Sequence, residues 1–101
     1  MGRSAVVVTT VLGLDPGTRH FGWGVVTRSG TRLHHVAHGI VHASERASIA
    51  ARLVTIERAL VEVIEAHSPA EASVEALFYA KDAQAAAKLG HARGVSLLVC
   101  A

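Results

Sequence analysis

Val6 to Asp15 is a run of β-branched and apolar residues without polar alternation, the pattern of a strand covered on both faces. Phe21 to Thr27 forms a second run, Arg28-Ser29-Gly30 supplies a hairpin loop with glycine at its left-handed position, and Thr31 to Val41 supplies a third strand. Together they predict an antiparallel meander. The period then changes. Ile49, Leu53, Ile56, Leu60 and Ile64 recur at steps of three and four, which predicts a helix with one apolar stripe against the sheet. Ser44 is its expected N-cap, with Glu45 in the first turn and Arg58 pairing with Glu62 on the outer face. His67-Ser68-Pro69 ends the helix, and Ala72-Ser73-Val74 reads as a short strand. A crossover through a helix makes the first and last of these strands parallel neighbours. Beyond Phe78-Tyr79 an alanine-rich helix is predicted from about Asp82, its N-cap. Ala86, Gly90 and Gly94 form a nearly bare face suited to another helix. Gln84, Lys88 and His91, with Lys81 just before the helix, fall on a different face.

The first strand delivers a carboxylate to a turn, in Leu12-Gly13-Leu14-Asp15-Pro16-Gly17-Thr18. A residue before proline is pushed toward extended geometry, so Asp15 is the last strand residue. Pro16-Gly17 predicts a type II turn with positive φ at the glycine. The carboxyl ends of strands are where ligands of open α/β sheets bind. A carboxylate held there by an apolar strand is partly desolvated and calls for a cation, whereas the plain alternative is a turn or N-cap aspartate. Glu75 repeats the arrangement after the short strand. Parallel pairing would bring both acids to one sheet edge, where a hard divalent cation relieves their repulsion; otherwise Glu75 merely begins a polar loop. Gly22 and Gly24 share one face of the second strand, smooth enough for another backbone to approach. His34, His38 and His42 are expected on one face of the third strand and His35 on the other. Steps of four residues along a strand span roughly 13 Å, too wide for shared zinc coordination, so these histidines make a polar solvent face.

Composition narrows the class. With 101 residues, half of them hydrophobic and 18% charged, the chain is a single globular domain and not a disordered one. Residues 1–10 are a flexible lead-in running into the first strand, and 11–101 form the domain. A net charge of +2 permits a polyanionic partner. The lone Cys100 leaves no internal disulfide and suits a reducing compartment. No apolar run has the length of a membrane span or a signal-peptide core, and a cytoplasmic location is expected.

These pieces resemble the bacterial RuvC family of Holliday-junction resolvases, nucleases of the ribonuclease H-like α/β fold. The resemblance is carried by Leu12 to Thr18 with Gly22 and Gly24 behind it, by Val74-Glu75-Ala76-Leu77-Phe78, and by Ala87-Lys88-Leu89-Gly90-His91-Ala92-Arg93-Gly94. The first motif is shared with distant relatives; the second and third at this separation are far more specific. The resemblance implies that residues 11–101 are the N-terminal part of one RNase H-like nuclease domain: a mixed sheet of a three-strand meander and a parallel strand, flanked by helices. It implies Asp15 and Glu75 as catalytic ligands of Mg²⁺ and Phe78 as a contact to bases at the junction centre. Lys81 and Lys88 would belong to a basic DNA-binding surface, and Ala86, Gly90 and Gly94 to a homodimer interface. The partners it implies are a four-way DNA junction, cut by two symmetric nicks, and a branch-migration motor complex of RuvA and RuvB.

Two features depart from the family pattern. Asp82 stands where the family usually has an amide and adds negative charge beside the expected DNA path. The family's two remaining carboxylates come from a later helix beyond residue 101. Two-metal hydrolysis needs ions about 3.5–4 Å apart, so Asp15 and Glu75 alone are expected to hold one weakly bound ion. The 101-residue chain is therefore expected to be a fragment with little or no cleavage activity. Rival assignments are half of an actin-like or sugar-kinase-like ATPase, which also uses an Asp-x-Gly-Thr turn, and a non-catalytic DNA-binding or dimerisation module.

Overall fold

The computed structural model describes residues 7–74, 91, 93–95 and 99–100. Four strands, β1 (Val8–Asp15), β2 (His20–Ser29), β3 (Arg32–His42) and β4 (Glu71–Val74), form one sheet in the order β3-β2-β1-β4. A helix, α1 (Ile49–His67), separates β3 from β4. β1, β2 and β3 pair antiparallel as a meander, and β4 runs parallel to β1, as the crossover predicts. Gly30 turns the β2–β3 hairpin with φ +59°, the left-handed value its place in the loop requires.

Among the described residues, one face of the sheet is covered and the other is not. Along β1 burial alternates, with Leu12 and Leu14 buried and Val11, Gly13 and Asp15 pointing the other way. Leu12, Leu14, Phe21 and Val25 form the core with Ile56 and Leu60 of α1, and Trp23, Val41 and Val74 pack around them. Val95, Val99 and Cys100 reach the same cluster. Each fully buried side chain of this size contributes roughly 1.5–3 kcal/mol, so among the described residues the stabilising burial lies on this face of the sheet. On the other face Ile40 remains 58% exposed. An apolar run without polar alternation had pointed to two covered faces. The described part of the second face instead holds Gly13, Gly22 and Gly24 with the β-branched Val11 and Val26, all half-buried.

α1 starts later than its sequence pattern implies. Ser48, extended at φ −60° and ψ 158°, accepts a hydrogen bond from the Ala51 amide at 3.1 Å and is the N-cap. Ser44 instead caps a separate turn, its hydroxyl accepting from the Arg46 amide and its carbonyl from the Ala47 amide. Glu45 therefore lies outside the helix and pairs with Arg19. Arg58 and Glu62 are both exposed, and the ion pairs among the described residues are Arg19–Glu45 and Arg28–Glu71. The apolar stripe is as predicted, Ile56 and Leu60 being its buried centre. Ser68, left-handed at φ 44°, closes the helix by donating its amide to the Ile64 carbonyl at 2.8 Å, and Pro69 prevents continuation. Of the second predicted helix, most lies outside the described residues; His91, Arg93, Gly94, Val95, Val99 and Cys100 are helical.

Candidate functional site

Asp15 is the last residue of β1, held opposite Gly22 by the β1–β2 ladder. It lies on the uncovered face and is exposed. The expected desolvation does not occur, because strand alternation sends Leu14 inward and Asp15 outward. Its carboxylate takes part in neither ion pair among the described residues.

The turn after Asp15 is tight for a different reason than predicted. Among the described residues Gly30 is the glycine with positive φ, and Gly17 is not. A Cβ on Gly17 would instead lie 2.3 Å from the backbone oxygen of His20, which no side chain tolerates. Pro16 is buried beneath the turn. Three contacts tie its far end to the end of β3: the Ala43 amide donates to the Arg19 carbonyl at 2.9 Å, Arg19 pairs with Glu45, and His20 Nδ1 lies 3.0 Å from His42 Nδ1.

Beside Asp15 the open face is bare backbone. Gly13, Gly22 and Gly24 are register neighbours of one another or of Asp15 and, with Trp23 and Gly39, line an open depression of about 370 Å³. At ~30 Å³ per water that holds a hydrated ion together with a phosphate group. A Cβ on Gly24 would meet nothing within 4 Å, and one on Gly13 only the Gly24 carbonyl at 3.8 Å. Packing among the described residues therefore does not demand these glycines, and what they provide is access. Gly13 was not singled out from the sequence, although its place two residues before Asp15 already put it on the same face. Gly39 differs: a Cβ there would strike the Trp23 ring at 2.8 Å, so this glycine serves the covered side.

An ion of the Mg²⁺ class fits this donor set. Such ions keep several waters and are held by one or two carboxylates plus substrate phosphates, and Asp15 offers an accessible hard oxygen ligand beside a floor that lets a phosphate approach. No cluster of three or more candidate ligands occurs among the described residues. Glu75, the expected second ligand, lies outside them, as do Phe78, Lys81, Ala86, Lys88 and Gly90. Gly94 is helical and exposed, and a Cβ on it would meet none of the described residues within 4 Å. The parallel ladder between β1 and β4 runs to Leu14 opposite Val74, the residues immediately before Asp15 and Glu75 in sequence.

The histidines are arranged differently from the expectation. Val26 pairs with His35 while Val25 pairs with Ala37, a register shift that leaves Val36 as an extra residue. The bulge rotates His35 onto the face of His38, and the two rings meet with Nε2 to Nδ1 at 2.8 Å. His34, opposite Thr27, is turned away from them. All four histidines of β3 are exposed, as a solvent face requires.

A family model described as "Crossover junction endodeoxyribonuclease RuvC" matches residues 11–101. Among curated relatives, the RuvC of Sorangium cellulosum is 60% identical over 88 residues, covering 87% of this chain and 49% of that protein. The RuvC of Parvibaculum lavamentivorans is 53% identical over 95 residues, 94% of this chain and 54% of the relative. The chain thus spans about half the length of the curated relatives it matches. Among solved structures, T. thermophilus RuvC in complex with Holliday junction substrate superposes with a TM-score of 0.85 at 29% identity, over 91% of this chain and 56% of that one. An Aquifex aeolicus PPX-GPPA enzyme, at TM-score 0.58 and 13% identity over 92% of this chain and 32% of its own, shares the fold alone. No helix among the described residues is long and apolar enough to cross a membrane. A match that begins inside β1 and runs to the last residue leaves one assignment: the chain belongs to the RuvC family of crossover junction endodeoxyribonucleases, with an RNase H-like fold.

Proposed function

We propose that this chain is the N-terminal part of a Mg²⁺-dependent endonuclease that resolves four-way DNA junctions, with Asp15 and Glu75 as ligands of one metal ion. The supporting observation is the placement of Asp15. It stands exposed at the end of β1, over a floor of Gly13, Gly22 and Gly24, beside a parallel ladder that stops one residue short of both acids. Under this reading Glu75, next in sequence after Val74, supplies the second carboxylate. The junction-bound relative supports the choice of substrate.

When bound, the ion would polarise the scissile phosphate and acidify a water. The chain's own contribution is positional. Asp15 fixes the site on a strand whose inward neighbours, Leu12 and Leu14, are locked in the core. The glycine floor admits the sugar-phosphate backbone, and the tethered turn from Pro16 to Arg19 keeps the carboxylate at the rim. Phe78 would meet bases at the junction centre, and Lys81 and Lys88 would contact phosphates. Ala86, Gly90 and Gly94 would face a second copy, since a two-fold junction needs two symmetric cuts. RuvA and RuvB would bring the junction, in the cytoplasm.

A synthetic four-way junction tests the assignment. The 101-residue chain should bind it without efficient nicking in Mg²⁺, and Asp15→Asn should abolish the dependence of binding on Mg²⁺. Efficient symmetric cleavage would refute the fragment assignment. An equal loss of affinity with and without Mg²⁺ would refute the metal role of Asp15.

A further inference from the structure

We infer that the open face of the β2–β3 hairpin carries two bidentate sites for a divalent transition metal of the Cu²⁺ or Ni²⁺ type, one formed by His20 with His42 and the other by His35 with His38. The facing nitrogens are 3.0 Å apart in the first pair, Nδ1 to Nδ1, and 2.8 Å apart in the second, Nε2 to Nδ1. With metal–imidazole bonds of about 2.0–2.1 Å, two ligands at a right angle lie about 2.8–3.0 Å apart, and two at the tetrahedral angle about 3.3–3.4 Å. Both pairs match the right angle. Square-planar and tetragonal nitrogen sites select Cu²⁺ or Ni²⁺, while the tetrahedral geometry of zinc would need both pairs to open.

The fold pre-arranges each pair. His20 and His42 are direct partners in the antiparallel ladder, which fixes their Cβ separation. His35 and His38 are brought to one face by the bulge at Val36. Without metal, one imidazole N–H is donated to the lone pair of the other. Coordination requires that this proton move to the far nitrogen of the same ring and that the two rings turn so that both lone pairs meet at the ion. All four rings are exposed, so water can complete the coordination sphere. The sites are chemically separate from Asp15, because Mg²⁺ takes hard oxygen ligands and leaves neutral imidazole alone.

Titration of Ni²⁺ into the chain by calorimetry, in excess Mg²⁺, tests this. Two ions should bind per chain, and paramagnetic broadening should centre on the amides of His20 and His42 and of His35 and His38. His42→Ala and His20→Asn, on opposite strands, should each remove one ion, and His38→Ala the other. The double variant His38→Ala/His42→Ala should bind at least about tenfold more weakly, the scale on which even supporting residues of metal sites act. His34→Ala and Asp15→Asn should leave both ions in place. Fewer than two ions in the unaltered chain, undiminished binding in the double variant, displacement by Mg²⁺, or loss in Asp15→Asn would each overturn the inference.

Discussion

The two faces of this four-stranded sheet are made by the same strands and do opposite work. On the covered face, Leu12, Phe21 and Val25 are 0% exposed and lock against Ile56 and Leu60 of α1. On the open face, one residue away at every step, stand Gly13, Asp15, Gly22, Gly24 and the paired histidines. Alternation along a strand thus lets a small domain divide its labour within each strand: stability on one side, an accessible carboxylate on the other. Substitutions should separate accordingly.

The largest effect is expected on the covered face. Ile56→Ala should cost about 2–5 kcal/mol, since it removes a fully buried side chain and leaves a cavity. Urea denaturation measures this, and a cost below about 1 kcal/mol would mean that α1 does not seal the sheet. The glycines give a sharper contrast. Gly17→Ala forces a Cβ against the His20 carbonyl and should cost about 1–3 kcal/mol, the range for overpacking. Gly24→Ala meets nothing and should leave stability unchanged or raise it by up to about 1 kcal/mol. On the proposed function it should nonetheless weaken junction binding, because a methyl group then stands on the floor. Equal stability losses in the two variants would erase the distinction between the faces.

Ser48→Ala should destabilise by about 1 kcal/mol through loss of the cap, and Ser44→Ala by less, reversing the order implied by the sequence pattern. The smallest effect concerns Cys100, whose thiol is pushed above its ordinary range by burial against the covered face. It should react with iodoacetamide more slowly than a free thiol at the same pH, and unfolding should abolish the difference. The folded state holds this proton more tightly than the unfolded one, so the thiol's contribution to stability is complete below the ordinary thiol pKa. That contribution fades as pH rises through the raised value.

Much of the fold was legible in the sequence because its signals are local. Periodicity separated the strands from α1, Gly30 marked the hairpin, and Ser68-Pro69 marked the helix end. What was missed depends on contacts across the chain. Two serines four residues apart can both begin a helix, and only the geometry that aims the Ser48 hydroxyl at the Ala51 amide decides between them. Gly17 was assigned to positive φ from turn statistics, whereas its constraint is the carbonyl of His20. The histidine faces were misassigned because a bulge inserts one residue and inverts all that follows; no local signal at Val36 announces it. Asp15 ends β1, as its place before proline implies, but its exposure follows from the parity of β1. Leu14 and Asp15 cannot both face inward.

The most direct measurement is a Mg²⁺ titration of the ¹⁵N-labelled chain followed by NMR. If Asp15 holds the ion over the glycine floor, the amides of Asp15, Gly22 and Gly24 should move most, and Asp15→Asn should abolish the response. Shifts centred on another part of the chain, or an unchanged response in Asp15→Asn, would contradict a metal site on this face.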